Sequence, residues 1–308
     1  MKKFLVTLIV LVFAAWLVSL HPRVGLAVYD AVGVIEAKLY GFEKSFVRIN
    51  EMEMAVYERN TLNTSEAVIL LHGYTGSKEL WLRFANQLDE HYHVIIPDLA
   101  GHGETGYFSG WSYRASAQAD RVAQLMETLG LERATIIGNS MGGMIAANFA
   151  IMYPLKTNKI IVFNPAGVTP PEPSETERLF AQGDSPFEID NADEFAEFYE
   201  LTMAQPPFIP EFVLRGMALR YSERKTEYAH IATDFRFHDL LDNRLQLIRA
   251  PTLVIWGDQD RILSPSAAPI WQRGIRQSEL HIFKGIGHMP MVEVPQQAAQ
   301  RVTEFLEN

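Results

Sequence analysis

Ser140 stands in Ile136-Ile137-Gly138-Asn139-Ser140-Met141-Gly142-Gly143, with a glycine two residues before it and another two residues after. The β-rich apolar run Ala134 to Ile137 leads into it, and a small-residue helical pattern, Met141 to Met152, leaves it. This G-x-S-x-G spacing makes a strand-to-helix turn so tight that the serine hydroxyl is pushed into the open. Glycines can also serve merely to bring a helix close to a sheet, and five-residue matches arise by chance, so the pattern needs partners elsewhere.

A serine hydroxyl is a poor nucleophile at neutral pH and requires a positioned base. Imidazole suits the task, with an ordinary pKa near about 6.5. Of the nine histidines, His288 is the candidate, because Lys284-Gly285-Ile286-Gly287-His288-Met289-Pro290 follows the last expected strand and its glycines free the loop to turn the ring back. The base in turn needs an acid that fixes its tautomer. The run Thr252 to Trp256 ends in Gly257-Asp258-Gln259-Asp260-Arg261, which offers two carboxylates. Asp258 reads as a turn former. Asp260, deeper in the loop, is favoured as the acid, and the chain order is then Ser, Asp, His.

Acyl chemistry at a serine also requires donors for the oxyanion. Val68 to Leu71 runs into His72-Gly73-Tyr74-Thr75-Gly76-Ser77, where Gly73 permits a sharp departure from the strand. The backbone amides of Tyr74 and of Met141 are the expected pair, and loss of one such donor typically raises a barrier by ~3–4 kcal/mol. In the loop Pro97-Asp98-Leu99-Ala100-Gly101-His102-Gly103-Glu104, Asp98 and His102 read as structural polar residues.

These loops need strands to carry them. From Phe46 to Asn50 and Met52 to Tyr57 the pattern is that of a hairpin. Six short apolar runs follow, at Val68–Leu71, His93–Ile96, Ala134–Ile137, Ile160–Phe163, Thr252–Trp256 and Leu280–Phe283. Runs of this kind belong to strands covered on both faces, as in a parallel sheet. Helical patterns alternate with them at Leu80–Leu88, Ala115–Leu129, Met141–Met152, Pro265–Arg273 and Gln296–Leu306, which predicts a mostly parallel, doubly wound α/β fold. Between Gly167 and Arg249 lie roughly 80 residues, far beyond an ordinary crossover. This stretch carries helical patterns at Glu194–Ala204 and Phe212–Tyr221 and no strand, and reads as an inserted helical cap.

The N-terminus differs from the rest. Met1-Lys2-Lys3 precedes an apolar run from Phe4 to Leu20, about 17 residues and near the short end of what spans a bilayer. An uncleaved anchor is favoured over a cleaved signal peptide, because the core is long and His21-Pro22-Arg23 replaces a small-x-small site. Lys2 and Lys3 would keep the N-terminus cytoplasmic and place the catalytic domain on the non-cytoplasmic side, with secretion after cleavage as the alternative. Val24, Val28, Ala31, Val32, Ile35 and Leu39 then share one face of an amphipathic helix, on lipid or on the core. The expected divisions are an anchor at 1–22, a linker helix at 23–42, a core at 43–168 and 246–308, and a cap at 169–245.

The 308 residues carry a net charge of −10 with no basic run after the first residues, which argues against nucleic acid as a partner. Cysteine is absent, which excludes disulfides, thiolate metal sites and a cysteine nucleophile. No metal or organic cofactor is implied.

Taken with their order, His72-Gly73-Tyr74, the Pro97-to-Gly103 loop, Gly138-to-Gly142, Trp256-Gly257 through Asp260, and Gly287-His288 make the chain resemble the α/β-hydrolase superfamily over Phe46 to Glu307. The resemblance implies Ser140 as nucleophile, Asp260 as acid, His288 as base, and Tyr74 with Met141 as oxyanion hole. A serine at 140 sets aside the branches with an aspartate nucleophile, haloalkane dehalogenases and soluble epoxide hydrolases. Within the superfamily the chain looks most like membrane-anchored lipases of the monoacylglycerol-lipase type, which implies a lipid-like ester substrate and an acyl-enzyme. Two alternatives are a carbon–carbon bond hydrolase of ring-cleavage dienones, which tends to carry Gly-Pro-Gly where this chain has Tyr74-Thr75-Gly76, and a tethered binding protein on a hydrolase scaffold. The apolar cap residues Phe180, Met203, Phe208, Phe212 and Met217 would line an acyl tunnel or form the cap's own core.

Overall fold

The computed structural model describes Phe4, Thr7 and residues 21–60 and 66–307. The expected anchor over Phe4 to Leu20 falls, but for those two residues, outside the described residues. Among the described residues no helix is long and apolar enough to cross a membrane.

In chain order the elements are α1 Pro22–Leu39, β1 Glu43–Arg48, β2 Glu53–Arg59, β3 Glu66–Leu71, α2 Leu82–Ala85, β4 Tyr92–Pro97, α3 Ala115–Thr128, β5 Ala134–Asn139, α4 Met141–Met152 and β6 Thr157–Phe163. Four helices follow before the next strand: α5 Glu175–Gln182, α6 Ala192–Thr202, α7 Glu211–Glu223 and α8 Lys225–Arg236. The chain closes with β7 Thr252–Gly257, α9 Ala268–Gly274, β8 Ser278–Phe283, α10 Pro290–Glu293 and α11 Pro295–Leu306.

The strands form one eight-stranded sheet in the order β1-β2-β4-β3-β5-β6-β7-β8. The β1–β2 and β2–β4 pairs are antiparallel and the remaining pairs are parallel. Strands buried on both faces need apolar side chains at every position. In β3, Ile69 and Leu71 enter the core beneath α3 and α4, while Val68 and Leu70 enter the opposite core with Trp81, Phe84 and α11. Parallel order brings the carboxyl ends of β3, β5, β7 and β8 to one rim, where all the expected reactive loops emerge.

Two local expectations change. Leu80–Leu88 is not one helix: a 3₁₀ turn at Lys78–Trp81 gives way to the four residues of α2. The buried Lys78 forces this, since its amide donates to Asp98 Oδ1 at 2.8 Å and its ammonium to Asp98 Oδ2 at 2.8 Å and Glu104 Oε2 at 2.8 Å. The segment between β6 and β7 holds two helices beyond those expected, α5 and α8. The first has a reciprocal cap between Ser174 and Glu177 and ends at Gly183 with φ of 91°.

The structure also shows which face α1 buries, a choice the sequence left open between lipid and core. Gly25, Gly33 and Ala37 are buried, whereas Val28, Val32, Ile35 and Leu39, expected to act as its apolar face, are exposed. The helix docks on α7 by backbone approach instead. A Cβ at Gly25 would lie 1.8 Å from Phe212 O, and one at Gly216 would lie 2.1 Å from Leu26 N. Small residues thus decide the contact, and Arg220 reinforces it with a two-pronged ion pair to Asp30 at 2.7 Å.

Candidate active site

Ser140 occupies the turn between β5 and α4 with φ 56° and ψ −118°, a region that costs a non-glycine residue energy and persists only when its surroundings enforce it. Its amide donates to Phe163 O at 2.9 Å, and its carbonyl accepts from Met144 N at 3.1 Å and Ala166 N at 3.0 Å. Close packing accounts for the flanking glycines. A Cβ on Gly138 would stand 2.1 Å from Gly142 O, and one on Gly142 would stand 2.2 Å from Leu71 O.

Asp260 and His288 are both buried and meet at 2.8 Å through Asp260 Oδ2 and His288 Nδ1. This contact places the proton on Nδ1 in the neutral ring and leaves Nε2 as the nitrogen able to exchange a proton. The carboxylate is held on all sides: Oδ1 accepts from Ile262 N at 2.8 Å and Leu263 N at 3.0 Å, and Oδ2 also accepts from Asn164 Nδ2 at 2.7 Å. Asp258 instead accepts from Gly285 N at 2.7 Å and pairs with the exposed Lys284, a turn-forming role.

Gly73 brings the loop after β3 against the serine, since a Cβ there would sit 3.1 Å from Ser140 Cβ. Thr75 follows with φ of 61°, and Gly76 N donates to Gly73 O at 3.1 Å. His72 locks this loop to its neighbour: Nδ1 donates to Gly73 O at 2.8 Å, and Nε2 accepts from Leu99 N at 3.0 Å. Such bonding requires the neutral ring, and burial accordingly pushes its pKa down. The Met141 amide lies in the first turn of α4, where N–H groups have no intrahelical acceptor and the helix dipole favours negative charge.

Three supporting residues escaped the motif reading. Asn139 donates from Nδ2 to Phe163 O at 3.1 Å and His288 O at 3.0 Å. Asn164, at φ of 45°, bonds Asp260 and also donates to Gly287 O at 3.3 Å. Glu293 accepts amide protons from Gly287 at 3.0 Å and Met289 at 3.2 Å, and from Ala204 at 2.9 Å and Gln205 at 2.8 Å. The only available signals were an asparagine at each of two strand ends and an acid five residues after His288.

Ser140, Tyr74 and His288 open into one cavity of ≈ 1340 Å³, walled on its far side by α1 and by the helices between β6 and β7. Phe180, Met203, Phe208, Phe212 and Met217 all line it. Met203 is nonetheless buried, so tunnel and core roles overlap, while Phe208 is 90% exposed at the surface. Asp98 is the buried partner of Lys78, and His102, also buried, has its pKa pushed far down by burial. Among the described residues there is no cluster of three or more side chains suited to a metal ion.

A strained serine at a strand-to-helix turn, an aspartate–histidine pair on later loops and this sheet order define a hydrolase with an α/β scaffold. The chain belongs to the alpha/beta hydrolase fold family, whose family model matches residues 66–205. It is 31% identical to Lipase 3 of Moraxella sp. strain TA144 over 275 residues, covering 86% of this chain and 87% of the relative. It is 26% identical to Monoacylglycerol lipase abhd6-A of Xenopus laevis, covering 86% and 82%. Among solved structures, a membrane phospholipase A described as a bacterial virulence factor superposes with a TM-score of 0.89 at 32% identity, covering 100% of this chain and 98% of the other. A Rhodococcus 2-hydroxy-6-oxo-6-phenylhexa-2,4-dienoate hydrolase shares the fold, with a TM-score of 0.74 at 20% identity and coverage of 87% and 100%.

Proposed function

We propose that this protein is a serine hydrolase of lipid carboxylic esters, with Ser140 as nucleophile, His288 as base and Asp260 as the residue that orients it. The observation that carries the reading is the buried Asp260–His288 contact at 2.8 Å beside the strained Ser140, at the floor of a large and mainly apolar cavity. Ser140 Oγ attacks the ester carbonyl as His288 Nε2 takes its proton. The oxyanion rests on the amides of Tyr74 and Met141. The C–O bond then breaks, His288 returns the proton to the departing alcohol, and water releases the acid by the same path. The helices between β6 and β7 act as a cap, and its apolar side chains receive the acyl chain.

The lipase and monoacylglycerol-lipase relatives support esters of this class over ring-cleavage dienones, for which the likeness at 20% identity extends to the fold alone. The retained Ser, Asp and His speak against a purely binding scaffold. The decisive experiment compares wild type with Ser140→Ala on decanoylglycerol and with a fluorophosphonate probe. Wild type hydrolyses the ester and is labelled, and the variant does neither. Hydrolysis that persists in the variant removes Ser140 from the mechanism, and dienone turnover without ester turnover replaces the substrate class.

We further propose that Phe4 to Leu20 anchors the chain in a membrane, with the hydrolase on the non-cytoplasmic side. Support comes from the apolar run and its flanking lysines, and from the exposed Val28, Val32, Ile35 and Leu39 on the helix that follows. Carbonate-resistant sedimentation with membranes is the expected result, and full release into the soluble fraction would favour cleavage.

A further inference from the structure

Among the described residues the cavity wall carries three long cationic side chains, and two are already paired. Arg83 Nε donates to Glu36 Oε1 at 2.8 Å, and Lys225 bonds Asp190. Arg236, in the last turn of α8, has no carboxylate partner and no hydrogen bond among the described residues. Its guanidinium carbon lies 3.7 Å from the centre of the Phe180 ring and 5.5 Å from that of Phe237. Phe180 faces the same cavity. The carboxylates of Asp184 and Glu188 also border it, but both residues are exposed to solvent and neither perturbs Arg236, whose pKa burial lowers and Tyr74 raises. A guanidinium keeps its proton throughout the range proteins meet, so the side chain is a cation.

A partly buried charge without a counter-ion is costly unless something pairs with it. Arginine tolerates such a place better than lysine, because it is weakly hydrated and stacks on aromatic faces. Its fork remains free to donate two parallel hydrogen bonds to a carboxylate or phosphate. Helix-end placement also favours a cation, but it does not fill those donors.

We propose that Arg236 is an anion subsite within the acyl cavity, seating the oxyacid group of a lipid that also presents an acyl chain. That group is either the phosphodiester of a glycerophospholipid substrate or the carboxylate of the released fatty acid. The inference rests on the ester-hydrolase reading above and extends it from neutral to charged lipids.

The test uses the full chain in micelles, with decanoyl lysophosphatidylglycerol and 1-decanoylglycerol as matched substrates. Octyl phosphate, octanoate and octanol serve as inhibitors. In wild type, octyl phosphate or octanoate inhibits at a concentration at least about tenfold below that of octanol. In R236Q and R236M the advantage of the subsite's ligand disappears, and R236K restores it in part. A fall of about tenfold or more in the charged-to-neutral ratio of kcat/KM assigns the subsite to the phosphodiester. An unchanged ratio with lost octanoate sensitivity assigns it to the product. Equal inhibition by all three octyl compounds in wild type, or equal loss towards every ligand in the variants, overturns the proposal. If no ester of either kind is hydrolysed by wild type, the ester-hydrolase reading itself fails, which is a separate outcome.

Discussion

Glu293 holds the amides on both sides of His288, at 3.0 Å to Gly287 N and 3.2 Å to Met289 N. The same carboxylate accepts from Ala204 N and Gln205 N just beyond α6, so one side chain joins the histidine loop to the helical segment between β6 and β7. His288 N donates to Thr202 O at 3.0 Å across the same seam. Bonds to a charged acceptor are worth ~1.5–3 kcal/mol each. Glu293→Ala should therefore lose a few kcal/mol of stability in urea unfolding. It should also lower kcat about 10- to 100-fold, as misplacement of a reacting group by ~1 Å does. Glu293→Gln should fall between, since its amide can accept from only one set of donors. A full kcat per folded molecule in Glu293→Ala would show that the histidine holds its place without it.

Asn164 donates to the same Asp260 oxygen that receives His288 Nδ1. Its bond leaves the other oxygen to the amides of Ile262 and Leu263. Asn164→Asp would set a second carboxylate 2.7 Å away in a buried site. Two like charges so close cannot both ionise freely, so one shared proton should appear. The expected results are a fall in kcat/KM of about two orders of magnitude, with the acid limb of the pH–rate profile moved up. Asn164→Ser, which can donate one bond without charge, should keep more activity. An unmoved acid limb in Asn164→Asp would rule out this coupling.

Much of this arrangement was legible from side-chain type alone. Val68–Leu71 and Ala134–Ile137 are apolar at consecutive positions because both sheet faces are covered, and a glycine-flanked serine betrays its turn by steric need. Glu293 and Asn164 were opaque for a different reason. Glu293 acts on the backbone amides of Gly287, Met289 and Ala204, and a backbone partner leaves no residue signature in the sequence; Asn164 bonds a carboxylate 96 positions away, a separation that no local pattern records. The orientation of α1 stayed open between lipid and core for the converse reason. Hydrophobic periodicity weighs Val28, Val32 and Ile35 and gives no weight to Gly25, yet the glycine makes the contact.

His72 and His102 are buried, with ring centres 5.1 Å apart, and burial lowers the pKa of each. In the unfolded chain both take up protons below about pH 6.5, whereas the folded protein keeps them neutral. The unfolded state then binds more protons, so stability falls as pH drops below that value and is fully present above it. Each histidine should add a slope of ~1.4 kcal/mol per pH unit. Urea unfolding of His102→Gln between pH 5 and 7 should show a slope shallower by about one proton. A parallel curve, displaced but equally steep, would place the acid sensitivity elsewhere.

The α1–α7 contact offers a way to separate the N-terminal helix from the hydrolase without touching the reacting groups. Gly216 leaves no room for a side chain, its Cβ position lying 2.6 Å from Gly25 C as well as 2.1 Å from Leu26 N. Gly216→Leu cannot be absorbed by a rotamer change, because the obstructing atoms are backbone. It should lift α1 off α7, breaking the Arg220–Asp30 pair with it. Amide exchange over residues 22–39 should rise by about tenfold or more, while the strands of the sheet keep their protection. Since Val28, Tyr29 and Val32 line the cavity, its wall should open and KM for acyl glycerols should rise, with fluorophosphonate labelling of Ser140 retained. Undisturbed exchange in α1 would mean that the aliphatic contacts around the glycine hold the helix in place, and the close backbone approach would then be a consequence of docking instead of its cause.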